Sequence, residues 1–181
     1  MEIIKTGFEG LLLLKPQVFG DARGYFLESF NAQTFEKKTG ISVNFVQDNE
    51  SLSNKGVVRG LHFQKPPYTQ DKLVRFNAGA VLDVVVDLRR EQPTYGKAYA
   101  VELSQENKLQ LFVPKGFAHG FATLEDNTKF LYKCTEYYHP ASEDCILYND
   151  EAFNIDWRVD EPLLSEKDKK GRSFDSFESP F

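Results

Sequence analysis

The sequence predicts an all-β-dominated fold, an antiparallel sandwich or barrel carrying a few short helices. Aromatic residues make up 14% of the 181 residues, with 16 Phe and 8 Tyr, and aromatic and β-branched side chains suit a half-buried pleated surface. Apolar residues gather in short runs, alternating or continuous, separated by Gly, Pro, Asn or Asp, which is the punctuation of an all-β chain. Helical periodicity is sparse.

The strands follow in order. LLLLKP at 11–16 is closed by its proline, and YFLESF at 25–30 ends where polar residues take over. NAQTFEKK at 31–38 then reads as a helix: the Asn31 side chain can cap its first turn, and Lys37 and Lys38 sit where the helix dipole favours positive charge. VNFVQDN at 43–49, VVRGLHF at 57–63 and DKLVRF at 71–76 come next, the last two joined by the Pro-rich KPPYTQ. AVLDVVVDL at 80–88 is a further strand, rich in valine. KAYAVEL at 97–103, KLQLFVP at 108–114, GFAHGFATL at 116–124 and KFLYKCTEYY at 129–138 complete the set. From Leu163 a short helix is expected, then a polar, Gly- and Ser-containing tail from about residue 170. No repeat, linker or low-complexity block divides the chain, so residues 1–181 read as a single domain.

Composition removes several classes of function. With 22 basic against 27 acidic residues, a net charge of −5, there is no excess of cation to displace counterions from a phosphate backbone, so no nucleic-acid partner is expected. The N-terminal MEIIKTGFEGLLLLKP carries an apolar run of only four leucines and no small-residue cleavage site, and no stretch is of membrane-spanning length. A soluble, cytoplasmic protein with no membrane partner is expected. Cys134 and Cys145 lack C-x-x-C spacing, so they read as small buried hydrophobes rather than a disulfide framework or zinc knuckle.

The three histidines are the natural candidates for chemistry. Alternation in VVRGLHFQ puts Val58, Gly60, His62 and Gln64 on one face and Arg59, Leu61 and Phe63 on the other. Gly60 leaves room beside His62, although a hydrogen-bonded core histidine explains the segment equally well. His119 shares a face with Phe117 and Phe121 between Gly116 and Gly120, which permit close approach of a ligand or of backbone. His139, before Pro140, reads as loop. No H-x-H or H-x-x-x-H pair supports a metal site, no G-x-S-x-G elbow marks a nucleophile, and no glycine loop of the Walker or Rossmann kind is present. What remains is a set of strand-borne cations and proton-transfer groups: Arg59, His62, Lys72, Arg75, Asp83, His119, Tyr132 and Tyr138. Alternation groups Phe130, Tyr132 and Cys134 on a plausible inward face, where a tyrosine hydroxyl needs a partner. Lys72 shares its face with Val74 and Phe76, so its ammonium either snorkels outward or is buried against an anion.

At RGLHFQ (59–64), QDKLVR (70–75), VPKGFAHGF (113–121) and FLYKCTEYY (130–138) the chain resembles the dTDP-4-dehydrorhamnose 3,5-epimerase family. FGDARGYFLESF (19–30), FVQDN (45–49), YNDE (148–151) and LSEKD (164–168) extend the resemblance over nearly the full length, in order. It implies a cupin-type jelly roll, dimeric with an exchanged N-terminal strand, that works without cofactor or metal on a dTDP-4-keto-6-deoxyhexose in dTDP-L-rhamnose biosynthesis. It also implies His62 as general base, Asp168 holding its imidazole, Tyr132 as the acid on the opposite face of the sugar and Lys72 beside the enolate oxygen. Arg59 and His119 are implied as polar contacts to sugar or diphosphate, with Asp83 orienting His119. Arg23, Glu28, Gln47, Asp48, Asn49, Glu143 and Lys167 match nucleotide-binding positions, Tyr138 a thymine-stacking ring, and Phe19 and Phe26 a contribution across the dimer interface. Relatives that invert only one carbon keep the same base and acid, so a mono-epimerase of another deoxysugar pathway stays open.

These roles suit the residue types. Inverting a carbon beside a ketone removes a proton from one side and returns one to the other, so base and acid must face each other. Imidazole, with an unperturbed pKa of about 6.5, suits removal near neutral pH, and phenol, at about 10, suits return to a basic enolate carbon. Strict alternation sends Arg59 and His62 to opposite faces, so placing both in one cavity requires a bulge, and Gly60 is its natural position.

Overall fold

The computed structural model describes residues 1–181. Thirteen strands and one helix form in the order β1 (Glu2–Lys5), β2 (Leu12–Lys15), β3 (Val18–Asp21), β4 (Gly24–Leu27), α1 (Ala32–Thr39), β5 (Gln47–Ser53) and β6 (Val58–Gln64). β7 (Lys72–Ala78), β8 (Ala80–Asp87), β9 (Ala98–Ser104), β10 (Gln110–Val113), β11 (Phe117–Thr123), β12 (Thr128–Cys134) and β13 (Glu143–Cys145) follow. One sheet has the order β1-β2-β10-β7-β12-β5 and the other β13-β6-β11-β8-β9, with antiparallel pairing between neighbours. Successive strands from β5 to β12 thus divide between the sheets as 5-12-7-10 and 6-11-8-9, the double Greek key of a jelly roll. The cupin-type β-sandwich is the fold of this chain. No helix is long and apolar enough to cross a membrane.

Alternation explains where the core sits. Val74, Phe76, Val81, Val85, Phe121 and Phe130 belong to the cluster between the sheets, while Leu82, Val84 and Val86 of β8 pack in a second cluster with Phe153, Trp157 and Phe177. Every residue of β8 is therefore buried, because the segment after β13 covers its outer side. Full burial of each such valine or leucine contributes about 1.5–3 kcal/mol, which holds the C-terminal segment down. The stretch after residue 170, read as a polar tail, is anchored by its phenylalanines: Phe177 is 8% exposed and Phe174 and Phe181 pack on the same cluster. Two single-turn 3-10 helices, Asp168–Lys170 and Phe174–Ser176, stand where one short helix was expected.

Helix α1 begins as its sequence dictates. The Asn31 side-chain oxygen accepts from the Thr34 amide at 3.0 Å, and Gly40 closes the helix in the left-handed region at φ 74°. Its one fully buried residue, Phe35, packs on Phe112 with ring centroids 5.1 Å apart. The expected strand at 43–49 starts later and runs Gln47–Ser53, since Val43 and Phe45 pack against the Phe35 cluster instead of joining the sheet. β1, β3 and β13 were not foreseen. β3 and β4 form a separate two-stranded hairpin, on which Phe19 is 55% and Phe26 68% exposed, so neither face has a buried pattern to read.

The bulge in β6 is present. β11 pairs His119 with His62 and Phe121 with Arg59, so two steps on β11 answer three on β6. Gly60, at φ 126°, lies in the extra stretch, and a Cβ there would stand 2.5 Å from Gly120 Cα. Glycine facing glycine lets the two strands meet while Arg59 and His62 turn to the same side.

Candidate active site

Both sheets contribute to a cavity at one end of the sandwich. It has an outer chamber of about 330 Å³ and an inner one of about 290 Å³. Asn49 (β5), His62 (β6), Lys72 (β7) and Tyr132 (β12) line both chambers. The outer one reaches Gln47, Tyr138 and Glu143, and the inner one Arg59 and His119.

His62 is held by a carboxylate from the C-terminal segment. Its Nε2 lies 2.5 Å from Asp168 Oδ1, with the Asp168 side chain 4% exposed. Ser165 Oγ donates to Asp168 Oδ2 at 2.7 Å and accepts from the Asp168 amide at 3.1 Å. Burial works against the Asp168 charge, but hydrogen bonds from His62 and Ser165 outweigh it and keep the carboxyl below its ordinary range. An ionised carboxylate in this position fixes the imidazole tautomer and orients the ring.

Cys145 completes a trio in which the ligand atoms of His62, Cys145 and Asp168 lie within 4.8 Å of one another. The trio does not form an ion cage as arranged. The imidazole and carboxylate already touch, whereas two ligands of one tetrahedral zinc, each bonded at about 2.0 Å, stand about 3.3 Å apart. Burial also pushes the Cys145 thiol up to about 12, away from the thiolate a metal needs.

Across the cavity, on the other sheet, alternation turns Tyr132 inward with Phe130 and Cys134. Its ring stacks on Phe130 with centroids 4.9 Å apart, its hydroxyl has no hydrogen-bond partner within the chain, and burial raises its pKa. The phenol is thus kept protonated. Lys72, adjacent to Cys134 in the β7–β12 register, makes no ion pair. Burial lowers the pKa of its ammonium, partly offset by Cys134, Glu143 and Asp83. Of the two expected alternatives, neither an outward snorkel nor a paired anion is found: the ammonium faces the cavity.

On β11, His119 Nε2 lies 3.0 Å from each Asp83 oxygen, so the buried carboxylate does orient this ring. Burial raises the Asp83 pKa, and His119 and Lys72 oppose the rise. At the outer rim the Tyr138 hydroxyl donates to Glu143 Oε2 at 2.7 Å, and Lys167 pairs with the same carboxylate. Burial again opposes the charge, but Lys167 and Tyr138 prevail and hold Glu143 below the usual carboxylate range.

Not every implied residue reaches the cavity. The Asp48 side chain lies on the opposite face of β5, 2.9 Å from Lys133 Nζ; alternation along Gln47, Asp48 and Asn49 sends the middle residue outward. Arg23, Phe26 and Glu28 belong to the β3–β4 hairpin and the turn after it, away from this chain's own cavity. There Arg23 pairs with Asp21 and Glu28 accepts from Asn31 Nδ2 at 3.1 Å. Gln64 was not foreseen as a site residue. Its Nε2 donates to the Tyr68 and Tyr137 carbonyls at 2.7 and 3.2 Å, and its Oε1 accepts from the His139 amide at 2.7 Å. The backbone on both sides of Tyr138 is fixed by this one side chain, for which its place on the His62 strand was the only signal.

A carboxylate-held imidazole and a protonated phenol on opposite sheets of one cavity, with an unpaired ammonium on the phenol's sheet, are groups suited to proton transfer in a jelly-roll enzyme. Known proteins make the class specific. The chain belongs to the dTDP-4-dehydrorhamnose 3,5-epimerase family, whose sequence profile matches residues 5–176. The dTDP-4-dehydrorhamnose 3,5-epimerase of Salmonella typhimurium is 56% identical over 169 residues, 93% of this chain and 92% of that one. The crystal structure of dTDP-6-deoxy-D-glucose-3,5-epimerase from Legionella pneumophila, in complex with dTDP-4-keto-L-rhamnose, is 48% identical with a TM-score of 0.94. The match covers 98% of this chain and 94% of that one. A 3'-monoepimerase from Streptomyces bikiniensis, in complex with dTDP-quinovose, is 32% identical with a TM-score of 0.87, over 92% and 84% of the two chains.

Proposed function

We propose that this chain inverts C3 and C5 of dTDP-4-dehydro-6-deoxy-D-glucose, giving dTDP-4-dehydro-L-rhamnose, by proton transfer without cofactor or metal. The observation that carries the reading is the placement of the His62–Asp168 pair and the Tyr132 hydroxyl on opposite sheets of one cavity. The C4 ketone acidifies both neighbouring carbons. His62 takes the proton from one of them, and Asp168 stabilises the resulting imidazolium. The enolate oxygen faces the Lys72 ammonium, a preorganised charge in a site that excludes much of the solvent. Tyr132 returns a proton from the other side; exchange with solvent then takes the proton from His62 and restores the Tyr132 phenol, and the ring pivots so that the second carbon meets the same base.

For the nucleotide, the broad Tyr138 ring supplies a stacking face for thymine, and Gln47, Asn49, Glu143 and Lys167 offer polar contacts at the rim. Arg59 and His119 contact the sugar or diphosphate. Arg23, Phe26 and Glu28 serve a second copy: the β3–β4 hairpin leaves two phenyl rings exposed, which suits exchange in a homodimer. The reaction uses a soluble sugar nucleotide, in keeping with a cytoplasmic enzyme. Incubation with dTDP-4-dehydro-6-deoxy-D-glucose, followed by borohydride reduction and sugar analysis, tests the reading. Rhamnose among the reduced sugars supports double inversion, whereas sugars inverted at one carbon alone would replace it with a mono-epimerase.

A further inference from the structure

Beyond the end of β12 the chain carries Tyr138 on a segment, 136–139, that belongs to no sheet. Backbone groups of Glu136, Tyr137 and Tyr138 make no hydrogen bond to other backbone. Glutamine side chains take that place. Gln70 Nε2 donates to the Glu136 carbonyl at 2.8 Å, Gln47 Oε1 accepts from the Tyr138 amide at 3.0 Å, and Gln64 holds both the Tyr137 carbonyl and the His139 amide. The second amide hydrogen of Gln64 goes to the Tyr68 carbonyl at 2.7 Å, and the Tyr68 ring lies flat on His139, centroids 3.8 Å apart and planes 5° from parallel. The Pro-rich connection after β6 and the Tyr138 segment are thus one body assembled around Gln64. Gln64 itself is 6% exposed, whereas Tyr138 is 53% exposed.

We propose that Gln64, with Gln70 in support, is a positioning residue for nucleotide binding: it holds the Tyr138 ring in place before the nucleobase arrives. The inference rests on the proposed reading of Tyr138 as the stacking face for thymine. Both amide hydrogens of Gln64 are spent on carbonyls within the chain, so it has none left for a ligand and acts through Tyr138. A carbonyl and an amide two positions apart ask for one donor and one acceptor on the same side chain, which a neutral amide has and a charged group lacks. An exposed ring on a segment without backbone pairing would otherwise lose its freedom when the ligand binds, and that ordering weakens binding.

The test is a double-mutant cycle in the full chain, read by calorimetric titration with dTDP. Gln64→Met keeps the length of the side chain and removes its amide; Gln70→Met removes a single donor and decides the matter alone if the first variant does not fold. Each is made with Tyr138 present and again in a Tyr138→Ala background. With Tyr138 present, dTDP affinity should fall about 2- to 10-fold, the range for ordering one side chain on binding. In the Tyr138→Ala background the same substitution should change affinity by less than about twofold, because the ring it positions is gone. An equal loss in both backgrounds would show that the glutamines serve the ligand or the rest of the site directly, and the inference fails. Folded variants that bind dTDP like wild type would also overturn it. Tyr138→Ala binding dTDP as wild type does would instead remove the stacking reading on which the inference stands.

Discussion

Replacing Asp168 with Asn removes one charge and keeps the shape of the side chain. In wild type one carboxylate oxygen faces His62 Nε2 at 2.5 Å and the other accepts from Ser165 Oγ at 2.7 Å. An asparagine can still accept from the imidazole, and its amide can donate to the serine oxygen, so the fold should persist. What is lost is the charge that stabilises the imidazolium. Two unit charges about 4 Å apart interact by about 4 kcal/mol at an effective dielectric of 20. If half to two thirds of that is felt in the transition state, kcat falls about 30- to 100-fold, with KM changed little. The assay is stopped-flow turnover of dTDP-4-dehydro-6-deoxy-D-glucose, with deuterium uptake at C3 and C5 followed in parallel. Under the proposed single-base mechanism both carbons should slow together. Wild-type turnover, or a loss confined to one carbon, would refute the reasoning. The same carboxylate carries a pH signature: its folded pKa lies below the ordinary 3.8, so its stabilising contribution is complete above that value and fades as pH falls through the folded pKa. The Tm difference between wild type and Asp168→Asn should therefore shrink in acid.

Other substitutions separate the remaining roles. Tyr132→Phe should retain exchange at one carbon or both while slowing inversion by about 10²- to 10⁴-fold, as loss of a general acid does; normal inversion at both centres would show another donor. Tyr138→Ala should raise KM about tenfold or more with kcat nearly unchanged, because base stacking is largely uniform binding, and a pure kcat defect would contradict that. Gly60→Ala should destabilise by at least about 2 kcal/mol, since φ 126° is unfavourable for alanine and the new methyl would meet Gly120. Urea unfolding at wild-type stability would show that the strands separate without cost.

Much of the sandwich was legible because strands buried on one face alternate, and β8, buried on both, reads as a valine-rich run interrupted at Asp83 and closed by Asp87. The bulge in β6 was legible for a different reason, since Arg59 and His62 could share a cavity only if alternation failed between them. The β3–β4 hairpin was only half legible, because its rings find no core in their own chain. Asp48 was carried over within the block QDN, and the pleat turns its side chain outward to Lys133. Asp168 lies 106 positions from His62, beyond any local pattern, and only the resemblance pointed to it.

The central claim is that one base, His62, opens both carbons. Its most direct test is incubation of wild type and His62→Asn with dTDP-4-dehydro-6-deoxy-D-glucose in heavy water without added metal, reading deuterium at C3 and C5 by NMR. The account predicts label at both carbons with wild type and at neither with the variant, while dTDP affinity stays within a few-fold. Label persisting at either carbon in the variant would contradict it.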